Sequence, residues 1–432
     1  MLRAGPWSTL FLLISIIGCG DVEEPASLSS SPSTTVSAEA TDAAVQAISS
    51  ADLDKLRSLG YASYVDQKSD QRLAGVNAID RARSQPGYNL YSVRPLCLAK
   101  LIDADGETIR AWRDPVGRHW SNCELLANGD LLVIGTSRED PPEESKTNGN
   151  RYLARYSWAG RLVWRKWLAA HHDVELTPSN ELAVLTRKYR RINEIDPKMD
   201  VIDEQITLLD QQGTVLRQSS IYDLLKSDSQ IFSFQKVKVN LKCNGRDQID
   251  LLHTNSLEWM RRPELEAKSS IYSSKNVLIC MRHQDSVAIV NMELQQVIWA
   301  WGQGELSGPH DANVLDNGHI LIFDNGLSRN WSRVIELDPV RQKIVWQYKG
   351  LNLKDFYTAA RGSNQRMPNG NTLIAESDRA HAFEVTYDGK IVWEYYSPDL
   401  GENGKRATIV RMKRYGISFN DPASPQIRSI GG

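Results

Sequence analysis

The chain has 432 residues, 41 % of them hydrophobic, which suits one large all-β domain with a sizeable core. A formal net charge of -2 excludes a nucleic-acid surface and a polyanionic partner as organising features. The five cysteines, Cys19, Cys97, Cys123, Cys243 and Cys280, make no CxxC pair and no metal-ligand spacing, so no metal site and no cofactor is expected.

Residues 1–18 read as a signal peptide. Arg3 supplies the positive charge, and the apolar run from Leu10 to Ile17 is too short to span a bilayer. The run ends in Ile16-Ile17-Gly18-Cys19, a lipobox, so Cys19 is expected to be the lipidated first residue of an exported, membrane-anchored lipoprotein. Asp21 sits one place beyond an inner-membrane retention signal, which leaves the periplasm or the outer membrane, the latter favoured. Residues 19–45, rich in Ser, Thr, Ala, Pro and Glu, cannot bury a core and read as a flexible tether. Residues 46–90 are expected to hold a short helix capped by Ser50 or Asp52, spaced by Leu53, Leu56 and Leu59, and stopped by Gly60.

From about residue 91 to 416 the chain repeats. One half-unit is an apolar strand, an Asn-Gly turn and a second apolar strand, as around Asn128-Gly129, Asn317-Gly318 and Asn369-Gly370, with a degenerate copy at Ser179-Asn180. Asn-Gly between apolar runs predicts a type I′ hairpin. The other half-unit ends in Trp, at Trp164, Trp346 and Trp393, with looser copies at Trp112 and Trp299. Two hairpins make one four-stranded antiparallel blade, and radial repetition makes an all-β, six-bladed β-propeller. Blades are expected near 119–167, 171–221, 249–301, 310–348 and 364–395. The sixth would join 407–412 to 98–112 and so close the ring. The recurrent Trp is then packing between blades, and residues 417–432 are a C-terminal tail.

The sequence has no phosphate-cradling loop, no GxSxG elbow and no HExxH. Most histidines instead fall at equivalent places, at or before the first strands of blades: His119, His171/His172, His253 and His310. In a propeller such positions converge on one channel mouth. Of the adjacent pair at most one faces the channel, and His172 is as readily a blade-packing residue. His119, His283 and His319 read as hydrogen-bonded structural residues.

Asp250-Leu251-Leu252-His253-Thr254-Asn255-Ser256 resembles the DWxHxNS motif of bacterial arylsulfotransferases. Cys280-Met281-Arg282-His283-Gln284 is similar to their SSRHQ segment. Pro309-His310-Asp311-Ala312 and Phe323-Asp324-Asn325-Gly326-Leu327-Ser328-Arg329 resemble their QH and FDNG segments, in the same order. The resemblance implies sulfuryl transfer from an aryl sulfate to a phenol through a sulfurylated histidine, without a nucleotide donor. It implies His253 and His310 as ligands of the sulfuryl oxygens or carriers of the phenol proton, Arg329 as the group that orients the sulfuryl, and Asn255 as a support of the His253 loop beside the substrate. His381, in about the right blade, is the expected nucleophile, and His172 a further substrate contact. The pattern departs at Leu251/Leu252, where the family has tryptophan, and at Cys280-Met281, where it has two serines. A non-catalytic propeller that binds a protein or glycan partner is the alternative, since fold does not fix chemistry. A quinone-binding propeller ranks last, for want of a ligand set for its metal.

Overall fold

A computed structural model describes residues 64–65, 73–237, 240–243, 246–401, 404–418 and 425–430. The expected signal peptide, lipidated Cys19, tether and capped helix lie outside these residues.

The repeat folds as six four-stranded antiparallel blades. The innermost strands are Gly117–Leu125, Ala170–Leu176, Thr254–Trp259, His310–Val314, Ser363–Arg366 and Ile409–Ser418, in blades one to six. Blade six joins the two ends of the described chain: Ile409–Ser418 pairs with Tyr88–Val93, followed by Leu98–Ile102 and Thr108–Arg113. This is the closure expected from the leftover strands, and it removes two open edges.

The Asn-Gly hairpins have a different turn from the one expected. Asn128, Asn317 and Asn369 keep negative φ, and only Gly129, Gly318 and Gly370 are left-handed, at φ 85°, 92° and 85°. The bonds Gly129 N–H to Leu126 O and Leu126 N–H to Asp130 O, both 2.8 Å, close a type I turn followed by a left-handed residue. Asn180, at φ 63°, takes the glycine place in the degenerate copy.

The recurrent tryptophans lock neighbouring blades, as expected. Each sits on the fourth strand of its blade and donates its indole N–H to a carbonyl of the next blade: Trp112 to Ser157, Trp164 to Gln211, Trp299 to Pro339, Trp346 to Tyr387 and Trp393 to Ala104. Blade two lacks the tryptophan, and Arg217 reaches Met292 O at 2.6 Å instead. Near the axis, carboxylates on one inner strand accept backbone N–H groups of the next. Asp173 takes Leu257 N–H, Glu258 takes Val314 N–H and Asp311 takes Asn364 N–H, at 3.1, 2.6 and 2.7 Å. A buried donor left unsatisfied costs about 1–3 kcal/mol, so these contacts fix blade spacing.

Two strands extend the propeller beyond 91–416. Gly75–Ile79 adds to the outer edge of blade five through Ile391–Tyr396. Gln426–Ser429, expected as tail, pairs with Tyr415–Ser418 on the inner edge of blade six. Ile427 N–H also reaches Ala127 O in blade one at 3.1 Å. The C-terminal strand therefore lies at the hairpin end of the channel, opposite the starts of the inner strands. Cys97, Cys123 and Cys280 are free, buried thiols that pack as small hydrophobes.

Candidate active site

The starts of the inner strands meet at one end of the channel, and there the histidines converge. The ring centroids run in a chain: His171 to His172 at 5.1 Å, His172 to His253 at 5.0 Å and His253 to His283 at 4.6 Å. His172 and His253 have left-handed backbones, at φ 55° and 50°, and Asp311 and Arg361 follow at 49° and 61° in blades four and five. Such strain in non-glycine residues costs of order 1 kcal/mol or more each and persists where surrounding contacts dictate it.

Blade three builds the centre. The turn Arg282–Gln284 caps strand Asn276–Met281 and grips the loop before Thr254. Arg282 N–H donates to His253 O at 3.2 Å and His283 N–H to Leu252 O at 3.0 Å. His283 Nδ1 donates to Asp250 O, and the Gln284 amide to Leu251 O, both at 2.8 Å. Two motif segments well separated in sequence therefore act as one unit, because they belong to paired strands of one blade.

His253 Nδ1 lies 2.6 Å from Asp250 Oδ2. A carboxylate only accepts, so Nδ1 carries a proton, and the lone pair of the ring's neutral form is on Nε2. Among the described residues no hydrogen bond engages that Nε2. Asp250 is buried, which would raise its pKa, but the His253 and His283 rings hold it well below the usual carboxylate range. Beside it, burial and then the charge of Asp250 push Glu204 up to about 8.

The His171–His172 pair has one consistent proton arrangement. His171 Nε2 faces the Thr186 carbonyl at 3.3 Å and must donate to it. Its Nδ1 then accepts from His172 Nδ1 at 2.8 Å, which leaves the lone pair of His172 on Nε2. Burial, followed by neighbouring positive charge, pushes both rings well below 6.5, so both are neutral at neutral pH.

His310 joins the cluster with less freedom than expected. Its Nδ1 donates to Asn325 Oδ1 at 2.7 Å, and its Nε2 accepts the Arg361 backbone N–H at 3.3 Å. Asn325 is itself fixed by donating to Thr358 O and Arg361 O, both at 2.8 Å. Burial first, then the charge of Arg282, pushes His310 well below its ordinary value. Asn255 supports the neighbouring blade rather than the His253 loop: its amide donates to Pro309 O at 2.8 Å, directly before His310.

Two expected residues are placed otherwise. Arg329 binds Asp324 through an ion pair of 2.9 Å, shared with Arg333, and stacks over Trp331 at 4.5 Å, so its charge is already paired. His381 stands on the third strand of blade five, His381–Val385, not on the inner one. Its two ring nitrogens lie 3.0 Å from Glu376 and 3.0 Å from Glu394, and its ring stacks on Tyr396 at 4.3 Å. Burial lowers its pKa, but the two carboxylates outweigh this and raise it. With both ring nitrogens facing carboxylate acceptors, His381 has no lone pair to offer in this arrangement. His319 and His119 are each hydrogen-bonded. The first meets Glu336 at 2.7 Å beside the Asn317-Gly318 hairpin, and the second meets Thr136 at 3.4 Å.

Sequence reasoning missed His283 and Arg282 as members of the site. Both stood inside a quoted motif, but nothing in a linear pattern shows that their turn closes over His253. Asp250, His253 and His283 offer one ligand atom each within 4.8 Å. The 2.6 Å Nδ1–Oδ2 distance is that of a hydrogen bond. Ligand atoms about 2.1 Å from one metal ion stand farther apart than this.

The family model described as Arylsulfotransferase (ASST) matches residues 153–397, more than half of the chain. The chain belongs to the arylsulfotransferase family. No curated protein matches it. Among solved structures it is similar to a protein of unknown function from Bacteroides caccae, at 14 % identity and a TM-score of 0.46, over 76 % of this chain and 98 % of that one. It is also similar to a catalytically inactive virginiamycin B lyase from Staphylococcus aureus with quinupristin, at 9 % identity and 0.41, over 80 % and 92 %. A third is the Cps50 (Swd1) β-propeller domain of Myceliophteria thermophila, at 11 % and 0.42, over 82 % and 97 %. At these scores none bears on function. The arylsulfotransferase match takes in His172, His253, Arg282, His283 and His310, and also the ion-paired Arg329 and His381.

Proposed function

We propose that this arylsulfotransferase moves a sulfuryl group from a phenolic sulfate ester to a phenol through a sulfurylated histidine, and that the histidine is His253. The observation that carries the reading is the His253–Asp250 pair, 2.6 Å apart, with Nε2 left unengaged. A carboxylate behind imidazole fixes the tautomer and raises the basicity of the opposite nitrogen.

The first half-reaction joins the His253 Nε2 lone pair to sulfur and breaks the bond from sulfur to the aryl oxygen, whose electron pair leaves with the aryloxide. The Nδ1 proton stays against Asp250, which offsets the positive charge of the sulfurylated ring. In the second half-reaction the acceptor phenol gives its proton to a neutral imidazole and its oxygen attacks sulfur, releasing Nε2. His172 suits that base role, because its ring is 5.0 Å from His253 and its Nε2 lone pair is spare. Most of the barrier reduction would come from positioning and from charges arranged in advance. Anchored at Cys19, the enzyme would act on phenols outside the cytoplasm.

The test mixes the purified chain with a chromogenic aryl sulfate and a phenol acceptor. Acceptor-dependent release of the donor phenol is expected, with a loss of about a thousandfold or more in His253→Gln. Omitting the acceptor should trap a sulfurylated peptide that contains His253. Absence of release with several donors in folded protein would refute transfer and leave the ligand-binding propeller.

A further inference from the structure

Arg282 has the features of an anion anchor. The residue is 3 % exposed, and its Nε is buried without a hydrogen-bond partner. Among the described residues no carboxylate lies within ion-pair reach of it. Other buried arginines of this propeller are compensated: Arg411 meets Asp173 and Asp311, Arg414 meets Glu384, and Arg366 meets Glu336. An unpaired charge is costly to bury, so a fold that retains one holds it for a partner that arrives later.

The surroundings identify that partner. Arg282 follows Met281 and is bound through its backbone to the His253 loop, and its field reaches His310 and His283. Burial pushes the guanidinium down to about 10, because Asp378, Asp250, Tyr357 and Asp285 attract it only from a distance. A planar guanidinium with open N–H groups binds two oxygens of a tetrahedral oxyanion at once. The neutral rings of His172 and His310 add no second charge, and the ionised Asp250 repels one. A guanidinium offset by the ionised Asp250 suits a sulfate ester, which carries one negative charge, better than a phosphate monoester, which carries nearly two at neutral pH.

We infer that Arg282, not Arg329, anchors the sulfuryl oxygens of the donor, and that this buried, unpaired guanidinium beside the ionised Asp250 selects monoanionic sulfate esters over dianionic phosphate monoesters. The inference rests on the arylsulfotransferase reading for its ligand but not on turnover.

Calorimetric titration of the full chain carrying His253→Gln, which stops turnover, with 4-nitrophenyl sulfate and 4-nitrophenyl phosphate tests it. The sulfate is expected to bind at least about tenfold tighter than the phosphate, the order of one charge-assisted contact. Adding Arg282→Gln should weaken sulfate binding by about thirtyfold, Arg282→Lys should recover part of it, and Arg329→Gln should stay within about threefold. The melting temperature of Arg282→Gln should not fall, since the change removes an unpaired buried charge. Undiminished binding in Arg282→Gln, equal binding of the two esters, or failure of Arg282→Gln to fold would each overturn the inference. Arg282-dependent binding in a chain that never transfers sulfuryl would instead sink the proposed reaction and keep the anchor.

Discussion

Acidification from about pH 7.5 to about pH 5 should destabilise the propeller through its histidine end, and His283 sets the scale. Burial holds this ring down to about 4 against an ordinary 6.5, more than the attraction of Asp250 restores. In the unfolded chain the ring takes up its proton as pH falls below 6.5, while in the fold it stays neutral until about 4. Its contribution is therefore full above 6.5 and is lost as pH falls toward about 4. At about 1.4 kcal/mol per pH unit, the loss is about 2 kcal/mol by about pH 5 and about 3 kcal/mol by about pH 4. His171, His172 and His310 are also pushed below 6.5 by burial and act in the same direction. His381 acts the other way: its raised pKa gives stability that is full below 6.5 and is lost as pH rises through the folded value. Urea unfolding at a series of pH values reads the slope. His283→Gln should flatten it by about one proton between pH 6.5 and about 4. An unchanged slope in that variant would refute the reasoning.

His381→Gln should leave sulfuryl transfer within about threefold and lower stability by about 2–4 kcal/mol, because it strands Glu376 and Glu394. Parallel assay and denaturation would separate these effects, and abolished transfer in a folded variant would return His381 to the mechanism. Trp346→Phe should cost about 1–2 kcal/mol in unfolding experiments, since the Tyr387 carbonyl loses its donor while most of the apolar contact remains. A variant as stable as the unsubstituted chain would show that the lock between blades four and five is not held by that bond.

The fold was largely legible in the chain because each of its units is local. An Asn-Gly turn, an apolar strand and a terminal tryptophan recur at a nearly fixed spacing, and hydrogen bonds between consecutive strands turn that spacing into blades. Even there a local choice needed coordinates. The same Asn-Gly pair fits two hairpin turns, and the carbonyl that each glycine N–H meets selects one. The convergence of His172, His253 and His310 was also readable, because equivalent repeat positions share a channel end.

The roles of the side chains were not readable. His253 and His381 are both histidines inside plausible motifs. One meets a single carboxylate and keeps Nε2 spare, while the other is held between two carboxylates from its own blade. Arg282 and Arg329 are both arginines of matched segments, yet Asp324 pairs with the second and, among the described residues, no carboxylate lies within ion-pair reach of the first. Sequence determined the repeat, because strand period and turn chemistry act over a few residues. Tertiary structure decided which nitrogen is free and which charge is unpaired, because charge interactions depend on distances between blades that no spacing along the chain records.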